Sequence, residues 1–162
     1  MSLPSTETLL INLDVPVLHI TLNRPESRNA MSLTMVNELM AVFESVAGDT
    51  TIRAIVLRGT GGHFCAGGDI KDMAGARQQA ASGDDNAFQT LNRRFGEMIT
   101  AANRQPQVMI TVLEGAVLGG GFGLACISDV AIASEDATFG LPETGLGVIP
   151  AQIAPFVVNA SA

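Results

Sequence analysis

The sequence predicts an α/β fold in which strands alternate with crossover helices. Three observations carry this. Short apolar stretches with a two-residue period or a near-continuous apolar run recur along the chain. Two longer stretches place apolar residues at helical spacing, each about three turns or more. The two kinds alternate in order, which is the pattern of a sheet built with crossover connections. The chain has 162 residues and is 47 % apolar, enough for one domain with a core.

Each element follows from local pattern. "TLLINLD" (8–14) and "VLHITLN" (17–23) are extended, and in the second Leu18, Ile20 and Leu22 alternate with Val17, His19 and Thr21. "SLTMVNELMAVFESVAGD" (32–49) is a helix with Val36, Leu39, Met40, Phe43, Val46 and Ala47 on one stripe. Ser32 caps its start and Gly48 its end. "IRAIVLRG" (52–59) is an apolar run of the buried, parallel kind. A helix begins near Ile70 behind an Asp69 cap, and residues 74–87, small and polar without periodicity, read as a mobile loop. "FQTLNRRFGEMITAAN" (88–103) is a helix with Phe88, Leu91, Phe95, Met98, Ile99 and Ala102 on one face. "VMITVLEG" (108–115) is a strand, a glycine cluster leads into a short apolar helix near 121–127, and "DVAIAS" (129–134) is a strand. A further helix begins where the sequence ends, so residues 1–162 read as the N-terminal core of a larger domain, incomplete at its C-terminus.

Composition narrows the function. A net charge of −7 argues against a nucleic-acid surface, which needs a basic stripe, but leaves room for a locally basic pocket. Cys65 and Cys126 sit in apolar, glycine-rich surroundings and read as small buried residues of a reducing compartment. No stretch reaches the length of a membrane span, and the N-terminus lacks the features of a signal peptide, so the cytoplasm is the expected location.

Three stretches are candidates for chemistry. In "FCAGGDIKDM" (64–73) the Gly68 N–H can point outward at a strand end to meet an oxygen. A plain glycine turn into a capped helix fits the same residues. In "EGAVLGGGFGLACISD" (114–129) Gly119 to Gly121 lead into a helix N-terminus, with its unpaired N–H groups and positive dipole end. The spacing is neither a dinucleotide fingerprint nor a P-loop, and close helix–strand packing is the alternative. In "ATFGLPETGLGVIP" (137–150) Glu143 stands among Phe139, Leu141, Leu146 and Val148, where desolvation would suit a general acid or base. An exposed loop glutamate is the alternative. His63 and Cys65 lack further ligands at zinc spacing, so no metal site is expected, and His19 reads as a strand residue.

Taken together, "LNRPESRNAM" (22–31), "FCAGGDI" (64–70), "LEGAVLGGGFGLACISDVAIAS" (113–134) and "ATFGLPETGLGVIP" (137–150) resemble the crotonase, or enoyl-CoA hydratase/isomerase, superfamily. The resemblance implies a crotonase-like (ClpP/crotonase) spiral of ββα units with small, roughly perpendicular sheets, here without the C-terminal helical portion. It implies an oxyanion hole for an acyl-CoA thioester at the N–H groups of Gly68 and Gly120, and Glu143 as acid/base. It implies substrate contacts around Arg28, Ala30, Ala66, Asp69, Ile70, Gly119 and Pro142, with the Arg28–Asn29–Ala30 element beside coenzyme A. Arg24 and Arg28 add local positive charge. The loop 74–87 falls where relatives carry a mobile segment near the acyl pocket. Coenzyme A is part of the substrate, and no separate cofactor is implied. For the full-length domain, the expected assembly is a homotrimer or a dimer of trimers.

The chain departs from the family's hydratases at Gly123, where they carry a first glutamate. Three functions follow from the resemblance. The first is hydration of a 2-enoyl-CoA, with the tail "GVIPAQIAPFVV" most like hydratases of branched, glutaconyl-type acyl-CoAs of the kind met in branched-chain or acyclic-terpene catabolism. The second is isomerisation of a 3-enoyl-CoA with Glu143 as the sole proton shuttle. The third is a non-catalytic acyl-CoA binder.

Overall fold

The computed structural model describes residues 3–84, 86–146 and 149–160. Seven strands and five helices follow in order among them: β1 (Leu9–Asp14), β2 (Val17–Leu22), α1 (Leu33–Val46), β3 (Ala54–Gly59), α2 (Ile70–Ala81), α3 (Ala87–Asn103), β4 (Val108–Leu113), β5 (Ala116–Leu118), α4 (Gly120–Cys126), β6 (Val130–Ala133), β7 (Thr138–Gly140) and α5 (Ala154–Ala160). Short 3₁₀ turns cover Pro25–Ser27 and Pro142–Leu146.

The main sheet runs β1-β2-β3-β4-β6, and β5 and β7 form a separate parallel pair. β1 and β2 pair antiparallel, and the other neighbours in the main sheet pair in parallel. Parallel neighbours demand crossovers, and α1 and α3 supply two of them. This is the α/β alternation expected from the sequence.

One face of the sheet is buried under the helices. Leu18, Ile20, Leu22, Ile55, Leu57, Met109 and Leu113 share a core with Met35, Leu39, Val42, Phe43, Val46 and Met98. β3 was expected to be buried on both faces, but only alternate residues are: Ile55 and Leu57 are buried while Arg58 is exposed. The four β6 residues are all exposed, so neither face of the sheet is covered at that edge.

Ser32 caps α1, as expected, by accepting the Met35 N–H. The helix stops at Ala47, which is exposed and does not extend the stripe. The larger correction is residues 74–87. Most of this stretch is the second half of α2, not a loop. Alanine, arginine and glutamine are good helix formers, and the Asp69 cap starts the turn, so the helix forms although Ala76 is its one buried residue. Apolar periodicity cannot find a helix that buries almost nothing. Phe88, assigned to the apolar face of α3, is instead 45 % exposed near that helix's start. β5 and β7, three residues each, are also additions to the elements read from the sequence.

The core and rim phenylalanines should separate cleanly in urea denaturation. Phe43→Ala removes a fully buried ring and should cost about 3–5 kcal/mol, whereas Phe88→Ala should stay within about 0.5–1 kcal/mol of the wild type.

Candidate active site

Three extended segments end side by side. β5 pairs in parallel with β7, matching Ala116 to Thr138, Val117 to Phe139 and Leu118 to Gly140. On its other side, Val117 forms a parallel bridge with Cys65. The Cys65 N–H donates to Ala116 O and the Leu118 N–H to Cys65 O, both at 2.9 Å. Parallel neighbours leave the ladder at the same end. Gly67–Gly68, Gly119–Gly120 and the Glu143 turn therefore emerge together.

Close contacts confirm the convergence. A β-carbon built on Gly119 would lie 3.3 Å from Gly67 Cα and 3.6 and 3.9 Å from the two Glu143 carboxylate oxygens. Gly119 has φ +50° and ψ −119°, a conformation that favours glycine, and its N–H donates to Gly140 O at 2.9 Å. Glu143 is half-buried, and among the described residues its carboxylate takes no hydrogen bond and makes no ion pair. Of the apolar surround expected for it, Phe139 is 47 % exposed, and Val148 lies outside the described residues.

The N–H groups of Gly68 and Gly120 have no acceptor among the described residues. Their directions follow from peptide planarity, which sets C=O and N–H on opposite edges. Gly67 O accepts the Met31 N–H at 2.7 Å, so the Gly68 N–H faces the other way, and Gly68 is exposed. Gly119 O accepts the Gly123 N–H at 3.0 Å inside α4, so the Gly120 N–H faces out of the helix start. The two carry unpaired positive ends of main-chain dipoles beside one carboxylate.

The turn at 24–31 supports the first of these glycines. Arg28 and Asn29 both adopt left-handed backbone conformations, φ +52° and +57°, which are uncommon outside glycine. Asn29 is fully buried and holds the turn through its amide: Oδ1 accepts the Arg24 N–H at 2.8 Å, and Nδ2 donates to Thr60 O at 2.9 Å and His63 O at 2.7 Å. Arg28 O accepts the Ala66 N–H at 3.0 Å, and Ala30 O accepts the Arg24 guanidinium. The main-chain oxygens around Arg28 and Ala30 are thus already engaged within the chain.

The remaining candidates are placed differently. Asp69 is turned inward, where it caps α2 through the Lys71 N–H at 2.7 Å and pairs with Arg24 at 2.7 Å. Burial pushes the Asp69 carboxyl up, but the Arg24 hydrogen bond, the Lys71 and Asp72 N–H groups and the guanidinium charge together hold it below the usual range. Arg24 is therefore occupied, while the exposed Arg28 guanidinium makes no ion pair among the described residues. Ile70 is 80 % exposed at the start of α2. Pro142 opens the 3₁₀ turn that carries Glu143.

Some neighbours of the site carry no functional signal in the sequence. Phe95 of α3 lies against Gly120, where an added β-carbon would sit 2.7 Å from the ring and 3.5 Å from Met31 Sδ; at Gly68 it would lie 3.6 Å from Met73 Sδ. No local motif marks these side chains, because only tertiary packing brings them there. His63 Nδ1 accepts the Ala116 N–H at 3.1 Å, so it props the start of β5. Cys65 is buried, its thiol pushed up to about 11 by burial, and its Sγ lies 3.7 Å from Gly67 O. Cys126, expected to be buried, is only half so. Among the described residues no group of three or more His, Cys, Asp or Glu side chains could hold a metal, and no helix is long and apolar enough to cross a membrane.

Two surface clefts lie elsewhere. One of about 690 Å³ lies between α1 and α3 near Gln152, and one of about 480 Å³ lies among the starts of α1, α2 and α3. Gly68, Gly120 and Glu143 line neither.

The family profile described as enoyl-CoA hydratase/isomerase matches residues 14–161. The chain belongs to this family. It is 42 % identical over 147 residues to a probable enoyl-CoA hydratase of Rhizobium meliloti, covering 90 % of this chain and 53 % of that protein. It is 35 % identical over 137 residues to the mitochondrial Delta(3,5)-Delta(2,4)-dienoyl-CoA isomerase of Mus musculus, covering 82 % and 42 %. A solved structure, Pseudomonas aeruginosa AtuE, superposes with a TM-score of 0.89 at 65 % identity, covering 94 % of this chain and 58 % of that one. The chain spans about half the length of the curated relatives it matches. The crotonase-like α/β fold expected from the sequence is therefore established, and the family includes proteins named for hydration and for isomerisation.

Two measurements test the frame of this candidate site. Asn29→Ala strands three polar partners and leaves an alanine at φ +57°, so urea denaturation should show a loss of about 2–4 kcal/mol. Asp69 is held below its ordinary value of 3.8, so its stabilisation is present above that pH and is lost as pH falls through the depressed value. An acid titration of the urea midpoint should show this arm in the wild type, and Asp69→Asn should remove it.

Proposed function

We propose that the chain is the core of an enoyl-CoA hydratase acting on a branched 2-enoyl-CoA. The enzymatic reading rests on one observation: the unpartnered N–H groups of Gly68 and Gly120 stand beside the unpaired carboxylate of Glu143, while the branched substrate rests on the resemblance of the tail "GVIPAQIAPFVV". The thioester oxygen would lie between the two N–H groups, with coenzyme A along the Arg28–Ala30 turn and the exposed Arg28 guanidinium near its phosphates.

The chemistry balances with a single carboxylate. Glu143 takes a proton from water as the water oxygen bonds C3. The double-bond electrons pass to the thioester oxygen and form an enolate, stabilised by the two N–H groups. Preorganised donors of this kind are each worth about 3–4 kcal/mol in the transition state. The enolate collapses as C2 takes the proton back from Glu143. Assembly as a homotrimer or a dimer of trimers belongs to the same reading.

Gly123 favours a second reading, isomerisation. A β-carbon there would lie 2.6 Å from Ile153 Cγ2 and 2.8 Å from Ile99 Cδ1, so apolar side chains fill the space beside the position where the family's hydratases carry a first glutamate. A lone base suffices to take a proton from C2 of a 3-enoyl-CoA and return it at C4.

Incubation with 2-enoyl- and 3-enoyl-CoAs in ¹⁸O-water separates the readings. Label in a 3-hydroxyacyl product supports hydration, and a moved double bond without label supports isomerisation. Glu143→Gln should lower kcat about 100- to 10,000-fold in either case. Binding without turnover would leave an acyl-CoA binder.

A further inference from the structure

The Gly67–Gly68–Asp69 segment is held from one side by the 24–31 turn. Ala66 N–H donates to Arg28 O at 3.0 Å, Met31 N–H to Gly67 O at 2.7 Å, and Asp69 N–H to Met31 O at 3.1 Å. These bonds fix the peptides flanking Gly68 but do not by themselves fix the turn that makes them. That turn contains two left-handed residues in succession and would relax if released.

Arg24 closes the arrangement. Its Nη1 lies 2.7 Å from Asp69 Oδ2 and also donates to Ala30 O, while its main-chain N–H donates to Asn29 Oδ1. The Arg24 side chain is 20 % exposed and that of Asp69 is 7 % exposed, so the pair is poorly screened by water. Asp69 Oδ1 meanwhile accepts the Lys71 N–H, which fixes the carboxylate to the start of α2. One nitrogen thus joins the turn to the residue directly after Gly68.

We infer that Arg24 and Asp69 are positioning residues that aim the Gly68 N–H at the thioester oxygen, by clasping the 24–31 turn to the 66–69 segment. The inference rests on the thioester reading above. Neither side chain touches the substrate. A donor set to within a fraction of an ångström is required for its full effect on a developing oxyanion, so loosening the clasp weakens transition-state stabilisation more than ground-state binding.

The test uses trans-cinnamoyl-CoA, a conjugated thioester whose absorption moves to longer wavelength when its carbonyl oxygen takes strong hydrogen bonds. Wild type, Asp69→Asn and Arg24→Lys are compared by bound-probe spectra, by kcat and KM on the substrate found active, and by thermal melts. Asp69→Asn keeps an oxygen for the Lys71 cap but loses the charge pair, and Arg24→Lys keeps the charge but shortens the reach. Asp69→Asn should lose about half or more of the red shift and lower kcat about 10- to 100-fold, with KM changed less than about threefold. Arg24→Lys should fall between it and the wild type. If both folded variants keep the wild-type band and kcat, or lose activity only in proportion to their unfolded fraction, the clasp does not aim the donor. Should Asp69→Asn fail to fold, Arg24→Lys carries the same comparison. A wild type that binds the probe without any red shift, or not at all, overturns the thioester reading itself, which is a different failure.

Discussion

The double-sided pairing of β5 is the constraint on which the site depends. Three residues, Ala116–Leu118, hydrogen-bond to Cys65 on one side and to β7 on the other. Each hydrogen bond contributes only about 0.5–1.5 kcal/mol net. Their geometric effect is larger than their energy. Parallel registration forces the chain after Cys65, the chain after Leu118 and the chain after Gly140 to leave at one end, within contact of one another. Shifting β7 by one residue would invert its side chains and move Glu143 along the ladder by about 3.3 Å.

Beside this ladder two buried polar side chains hold several partners each. Asn29 is the hinge of the 24–31 turn, and its amide meets three main-chain partners with no exposure to water. Asp69 does two tasks with two oxygens, capping α2 and holding Arg24. Buried charges of this sort stabilise a fold only when fully paired, because desolvation otherwise exceeds their attraction. Here both oxygens have partners, and the net effect keeps Asp69 ionised below its ordinary range despite its burial.

The parts legible in the sequence are those written in local pattern. The alternation of Leu18, Ile20 and Leu22 and the stripe of Val36, Leu39, Met40 and Phe43 locate the core correctly. The glycine clusters mark Gly68 and Gly119–Gly120, and a lone glutamate in an apolar turn marks Glu143. What local pattern could not carry was mutual position. β5 and β7 are too short for a periodic signal, and α2 buries too little to show one. The roles of Asn29, His63 and Phe95 come from contacts with residues far away in sequence. Asp69 caps α2 as its sequence context indicates, but its ion pair with Arg24 is not legible, since a cap residue and an ion-pair partner look alike in sequence.

The free donors at this site are main-chain atoms, and that has an evolutionary consequence. A side-chain donor can be deleted by any substitution, but a main-chain N–H is deleted only by proline. Drift at the surrounding positions therefore leaves the donors in place as long as the ladder holds. Phe95, Met31 and Met73 border the two glycines through side chains, which are separate from the main-chain donors the glycines offer. A lineage with such a frame can exchange its carboxylates and its apolar wall and still inherit the same anchor, which accords with one family holding proteins named as hydratases and as dienoyl-CoA isomerases.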